Sequence, residues 1–267
     1  MKISIVGAGR VAQNLAIALV KGGHDVVSVR DRTIARAEKL AALLQETAGV
    51  MVAVSDDLRE VEECVECAIF SIADDALNGV IEDFRAGRDL LCLHTAGSVN
   101  MNVWEGCTEH CGVLYPLQTF SEVGEAGAVD FGKLPLFVEA SGSGELEKVE
   151  RLARSLSSEV FKLSSEERRW LHVGAVFGCN FVNALYGAAE DCLKSIGLPL
   201  SVLYGLIDET ATKVHRMGPR EAQTGPAVRG DTRVMEGQMQ LLEGKPELRE
   251  VYELLSRRIR NEMLRTR

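Results

Sequence analysis

Gly7-Ala8-Gly9-Arg10-Val11-Ala12 is the segment whose residue types and spacing point most directly to chemistry. The first glycine suits a tight strand-to-helix turn, the second lets backbone N–H groups approach a pyrophosphate, and a small residue at Ala12 lets helix and strand pack closely. A helix starting there aims its unpaired N–H groups and partial positive charge at phosphates. Gly7, Gly9, Arg10, Val11 and Ala12 are therefore the expected core of a dinucleotide site. The nucleotide's far end should meet Arg30-Asp31-Arg32-Thr33, with Arg36 a helical turn further on. A carboxylate at this place bonds a ribose 2′-OH, whereas guanidiniums accommodate a 2′-phosphate. Two or three guanidiniums outweigh one carboxylate for a dianion, so NADP is favoured, while Asp31 keeps NAD open.

Such a turn works only between particular elements, and the flanking sequence supplies them. Ile3, Ile5 and Val6 form an apolar run into the turn; Leu15, Ile17, Ala18 and Leu19 give the next segment a helical apolar side that ends at Lys21-Gly22-Gly23; and Val26 to Val29 form a second apolar run. Further strands are expected at 50–54, 68–72, 90–94, 112–115, 136–139 and 160–163, with a helix over 144–156. The expected fold class is α/β: a doubly wound Rossmann domain over 1–163, then an all-helical domain over 164–267. Ser164-Ser165-Glu166-Glu167 reads as a helix entry, and one long apolar helix is expected to run to about Ile196, stopped by Gly197. Ligands of open parallel sheets bind beyond the C-terminal strand ends. Ser71, Ile72 and Ala73, and His94, Thr95 and Ala96, are therefore expected against the cofactor, and Gln118 and Thr119 against the substrate.

Composition narrows the alternatives. With 267 residues, 46% of them hydrophobic, the chain can bury a substantial core. A net charge of −9 without a basic stripe argues against nucleic acid. Met1-Lys2-Ile3-Ser4 enters a strand directly, in an apolar run too short for a signal peptide, so a cytoplasmic location is expected. The uncharged stretch from Trp170 to Ala189 holds His172, Asn180, Asn183 and several glycines, which suits a buried helix better than a membrane span. Seven cysteines read as reduced thiols. Cys64-x-x-Cys67 and Cys107-x-x-His110-Cys111 have metal-like spacing, but Cys67 opens an apolar strand, so no metal is expected.

Together the Gly7 to Ala12 turn, His94-Thr95-Ala96-Gly97-Ser98, the run from Tyr115 to Ser121, and Gln223 to Asp231 resemble a family of Rossmann-like NAD(P) oxidoreductases with a C-terminal helical domain of uncharacterised function. The resemblance spans nearly the whole chain. More distantly the layout is similar to ketopantoate reductase, pyrroline-5-carboxylate reductase and prephenate dehydrogenase. It implies hydride transfer to a small substrate, with homodimerisation through the helical domain. One position departs: where ketopantoate reductase-like enzymes carry a lysine four residues before a helical asparagine, this chain has Val176 before Asn180. Another group must therefore handle the proton, or the protein is a nucleotide-binding sensor without turnover.

On an uninterrupted helix, His172, Val176, Cys179, Asn180, Asn183 and Glu190 share an arc of roughly 100°. His172 and Asn183 lie about 16 Å apart along its axis, so both cannot touch one reacting carbon. Asn180 is the candidate for orienting a carbonyl or carboxamide. His172 is a candidate acid, and His94, directly after a strand, is its competitor. Asn183 and Thr224 are further candidates for the substrate side. Arg229 is a candidate grip on a substrate carboxylate, with Asp231 as an alternative partner.

Overall fold

The computed structural model describes residues 1–124 and 127–266. Two compact units divide after Phe177: Met1–Phe177 and Gly178–Arg267. The division falls inside the long helical stretch rather than at its start, because Ser165 and Arg168 are buried within the first unit.

The first unit is built on β1 (Lys2–Val6), α1 (Arg10–Lys21), β2 (Asp25–Arg30), α2 (Ile34–Ala48), β3 (Ala53–Ser55), β4 (Cys67–Phe70), α3 (Asp74–Asp83), β5 (Leu91–His94), β6 (Cys111–Pro116), β7 (Leu136–Ala140), α4 (Ser143–Leu156), β8 (Val160–Lys162) and α5 (Ser165–Ala175). One sheet contains all eight strands in the order β3-β2-β1-β4-β5-β6-β7-β8. Its pairs are parallel except β6 with β7, which are antiparallel. The described residues of 117–135 form no crossover helix, and without one the chain returns beside β6 by reversing.

Alternation along β1 explains the layering. Ile3 and Ile5 point into a cluster with Leu15 and Leu19 of α1, Leu40 and Leu44 of α2, and Leu152 of α4. Val6 faces the opposite cluster, with Phe70, Leu77, Ile81 and Trp104. Both faces of the central strands are thus covered, as a parallel sheet requires.

The second unit contains α6 (Phe181–Lys194), α7 (Tyr204–Met217), α8 (Pro219–Ala222), α9 (Pro226–Arg229), α10 (Thr232–Leu241) and α11 (Pro246–Thr266). Between α5 and α6 the expected continuous helix is interrupted by a π turn over Val176–Asn180. Its i→i+5 bonding departs from the 100° per residue on which the polar arc was reckoned, so the arc does not carry across the turn. Among the described residues, no helix is long and apolar enough to cross a membrane.

Candidate active site

The C-terminal ends of β1, β2, β4, β5 and β6 open into one cleft of about 540 Å³. Gly7 forms its base with φ +105°, and a Cβ there would lie 2.4 Å from the Ser71 carbonyl oxygen, so no other residue fits. Gly9, the residue before α1, has ordinary φ, and a Cβ there would meet only Arg36 within 4 Å. The glycine therefore keeps space open. No side chain caps α1 and no acidic residue lies in its first turn, which leaves the N–H groups of that turn available to an anion. Arg10 and Val11 line the cleft, whereas Ala12 is fully buried at the helix–sheet contact.

The end of β2 differs from the sequence expectation in two ways. Arg30 is not offered to a phosphate: it is buried, its Nη2 bonds Glu62 at 2.7 Å and its Nη1 donates to the Asp57 carbonyl at 2.9 Å. Strand alternation explains this, since Arg30 lies on the face of Ser4 and Ser28, where the Ser28 hydroxyl also donates to Glu62. Asp31 is committed as well: one carboxylate oxygen accepts from the Ala8 N–H at 2.9 Å and the other from the Thr33 N–H at 3.0 Å. It shapes the glycine turn from behind. Arg32 and Arg36 remain exposed and line the cleft, with Arg36 Nε 3.8 Å from Asp31. Thr33 precedes α2 without a side-chain capping bond.

Beyond β4 and β5, Ser71, Ile72, Ala73, Thr95 and Ala96 all line the cleft, and the Thr95 hydroxyl donates to Ser71 Oγ at 3.3 Å. His94, by contrast, does not line the cleft. It is fully buried, its Nδ1 accepts the Ala96 N–H at 3.2 Å, and it stacks on Trp104. Burial, reinforced by the nearby Arg168 charge, lowers its pKa to about 3, so the ring stays neutral.

At the β6 end stand Tyr115, Gln118, Phe120 and His172. Gln118 turns its carbonyl oxygen to the Thr119 N–H at 2.9 Å, while Thr119 is exposed on the same loop. The loop is tied to α1 by two polar residues that the sequence did not single out. Gln13 Oε1 accepts the Val123 N–H, and Asn14 bonds the Ser121 carbonyl and the Val129 N–H. His172 is half-buried, and its Nδ1 is 3.1 Å from the Tyr115 hydroxyl. Asp74, at the start of α3, accepts from the Ser98 hydroxyl across the same end of the cleft. Tyr115 and Asp74 were missed as site residues, although Tyr115 stands near the C-terminal end of β6 and Asp74 follows β4 at the start of α3.

The remaining candidates belong to the second unit. Asn180 closes the π turn, Asn183 lies in the first turn of α6, and both are exposed, as is Thr224. Arg229 Nε pairs with Asp231 at 2.8 Å. Among the described residues no group of three potential metal ligands assembles, and all seven cysteines are free thiols.

Comparison with known proteins gives a consistent picture. Residues 1–78 match the model of shikimate/quinate 5-dehydrogenase, and residues 134–259 match a domain of unknown function, DUF2520. No curated protein matches. The chain is similar to a crystal structure described as a "putative NADP oxidoreductase" from Bacteroides fragilis, with 41% identity over 97% of this chain and 98% of that one and a TM-score of 0.85. In fold it is also similar to a reductive aminase from Aspergillus terreus in complex with NADPH and ethyl-5-oxohexanoate, at 15% identity, TM-score 0.73, covering 98% and 94% of the two chains. A prephenate dehydrogenase from A. aeolicus in complex with hydroxyphenyl propionate and NAD+ shares the fold at 16% identity, TM-score 0.59, covering 100% and 94%.

Proposed function

Since this chain belongs to the NADP oxidoreductase family represented by the Bacteroides fragilis protein, we propose that it uses NADPH to reduce the C=O or C=N bond of a small anionic substrate. The bound cofactor supplies hydride; the protein binds, orients and provides the proton. The observation that carries the reading is the division of labour along the cleft. Gly7, Gly9 and the uncapped first turn of α1 form an anion cradle, and Arg32 and Arg36 supply positive charge beside it. Four inter-strand steps separate β2 from β6, about 19 Å, and the far end holds Tyr115 and His172. Both oxygens of Asp31 are occupied by backbone N–H groups, which supports NADP over NAD. Arg229, paired with Asp231, is the group we assign to a substrate carboxylate, and Asn180 and Asn183 are assigned to substrate orientation.

We also propose that the protein works as a homodimer through its helical unit. Among the described residues of Gly178–Arg267 the buried ones are Ala227, Met235 and Ser256, whereas Ile196, Leu206, Leu241, Leu254 and Leu264 are exposed. A helical unit with so little core needs a covering surface, and a second copy provides one by symmetry.

The test is to offer the NADPH-loaded protein a panel of 2-oxo acids, ketones with amines, and cyclic imines while following the absorbance of the reduced cofactor. Turnover with at least one member is expected. Tight NADPH binding without turnover on any of them favours the sensor reading, to which the Val176 departure also points.

A further inference from the structure

Two side chains, Tyr115 and His172, close on the backbone of Gly97 at the β6 end of the cleft. A Cβ on Gly97 would lie 2.6 Å from His172 Nδ1 and 2.8 and 2.9 Å from two ring carbons of Tyr115. Gly97 is therefore glycine because the Tyr115 and His172 rings occupy the space beside its Cα. The two rings contact edge to face at a centroid distance of 6.1 Å, and the Tyr115 hydroxyl and His172 Nδ1 share a 3.1 Å hydrogen bond. Phe137 packs at 6.3 Å on the Tyr115 ring. The dyad is fixed by packing on β6, β7, α5 and the loop after β5.

We propose that Tyr115 is the acid of this cleft, its hydroxyl delivering the proton to the substrate and His172 restoring it through Nδ1. The proposal rests on the reductase reading above and deepens it. In the step, the Tyr115 O–H bond breaks and its proton passes to the substrate oxygen or nitrogen. Bound NADPH would supply the hydride, and with it the electron pair, for the new C–H bond. The phenolate then accepts the proton that His172 donates from Nδ1, the imidazole takes a proton from water at Nε2, and exchange with water returns the proton to Nδ1 for the next cycle. Protons and electrons balance with NADPH as the sole reductant.

The surroundings favour a protonated phenol. Burial, aided by the Asp74 charge on α3 and opposed by Arg168 on α5, pushes the Tyr115 pKa above its ordinary value. His94, at the end of β5, is sealed in the core. The dyad also supplies what the Val176 position lacks.

Tyr115→Phe and His172→Ala test the proposal. Both variants should bind NADPH within about threefold of wild type, because neither residue lies in the phosphate cradle. With the substrate found in the panel, Tyr115→Phe should lower kcat by about 10²- to 10⁴-fold with little change in KM, the usual range for a lost general acid. His172→Ala should be restored at least severalfold by added imidazole, and Tyr115→Phe should not. A readout independent of turnover is the ultraviolet titration of tyrosinate, in which subtracting Tyr115→Phe isolates Tyr115. His172→Ala should shift that transition. Tyr115→Phe turning over at the wild-type rate, an unmoved tyrosinate transition, or absent imidazole rescue overturns the proposal. Wild type that fails to bind NADPH overturns the reductase reading itself.

Discussion

At the residue scale, the phosphate end of the cleft is decided by side chains already committed elsewhere. Asp31 and Arg30 have the right types for ribose and phosphate, yet each is held by a partner distant in sequence: Ala8 for Asp31, Glu62 for Arg30. Such partners are invisible to local patterns, which is why the sequence could name the Arg30 to Thr33 segment but not sort it. The double variant Arg32→Ala/Arg36→Ala should weaken NADPH by about 10- to 100-fold, corresponding to the loss of one charge-assisted hydrogen bond at about 1.5–3 kcal/mol, and leave NADH within about twofold. Equal losses for both would contradict the assignment. Asp31→Asn should instead weaken both nucleotides together, because it loosens the turn they share. His94 makes a different prediction. The folded protein holds its pKa at about 3, while the unfolded chain protonates near 6.5. The unfolded state therefore binds more protons between these values, so the contribution is intact above about pH 6.5 and is lost as pH falls toward 3. The slope reaches about 1.4 kcal/mol per pH unit. His24, lowered by burial and by the N-terminal ammonium, acts in the same direction. Urea midpoints at pH 7 and pH 5 check this, and an unchanged midpoint would refute it.

At the element scale, the strands were legible because short apolar runs bounded by glycine and polar residues have few other solutions. β4, β5 and β6 lie within a residue or two of where the patterns put them. The antiparallel direction of β7 was not legible, since it depends on what 117–135 fails to form rather than on the strand's own residues. The π turn at Val176–Asn180 was hidden for a related reason: a stretch that is apolar on most sides gives no phase against which one inserted residue can be noticed. α5 shows the sequence working well. Ser164 accepts from the Glu167 N–H while Glu167 reaches back to the Ser164 N–H, the capping box expected from the order of residues. What fixes α5 to the sheet is less visible. Arg168, 1% exposed, pairs with Glu139 on β7 and donates to the Val99 carbonyl at 2.6 Å, while Glu139 also accepts from the Ser165 N–H and hydroxyl. Arg168→Leu should cost about 3–5 kcal/mol, because it strands a partly buried carboxylate. Since α5 carries His172, it should also reduce turnover. Denaturant unfolding of the variant provides the check, and a loss under about 1 kcal/mol would mean that the network does not anchor the helix.

For the whole molecule, the plan of a Rossmann unit followed by a helical unit was readable from the switch between strand-and-helix alternation and helix alone. The resemblance implied a dimer through the helical unit, but apolar periodicity looks the same whether a helix packs within its chain or against another, so the proposed dimer rests on the exposure of Leu206, Leu241 and Leu254 in the folded chain. Light scattering coupled to size exclusion should therefore give a dimer at micromolar concentration. Leu206→Glu/Leu254→Glu should shift it toward monomer; a wild-type monomer would contradict the dimer.

The central claim is that one cleft is built for NADPH, and calorimetric titration of the wild-type protein with NADPH and separately with NADH tests it most directly. The account predicts micromolar or tighter NADPH binding with NADH at least tenfold weaker. Equal affinities, an NADH preference or no binding of either would contradict it.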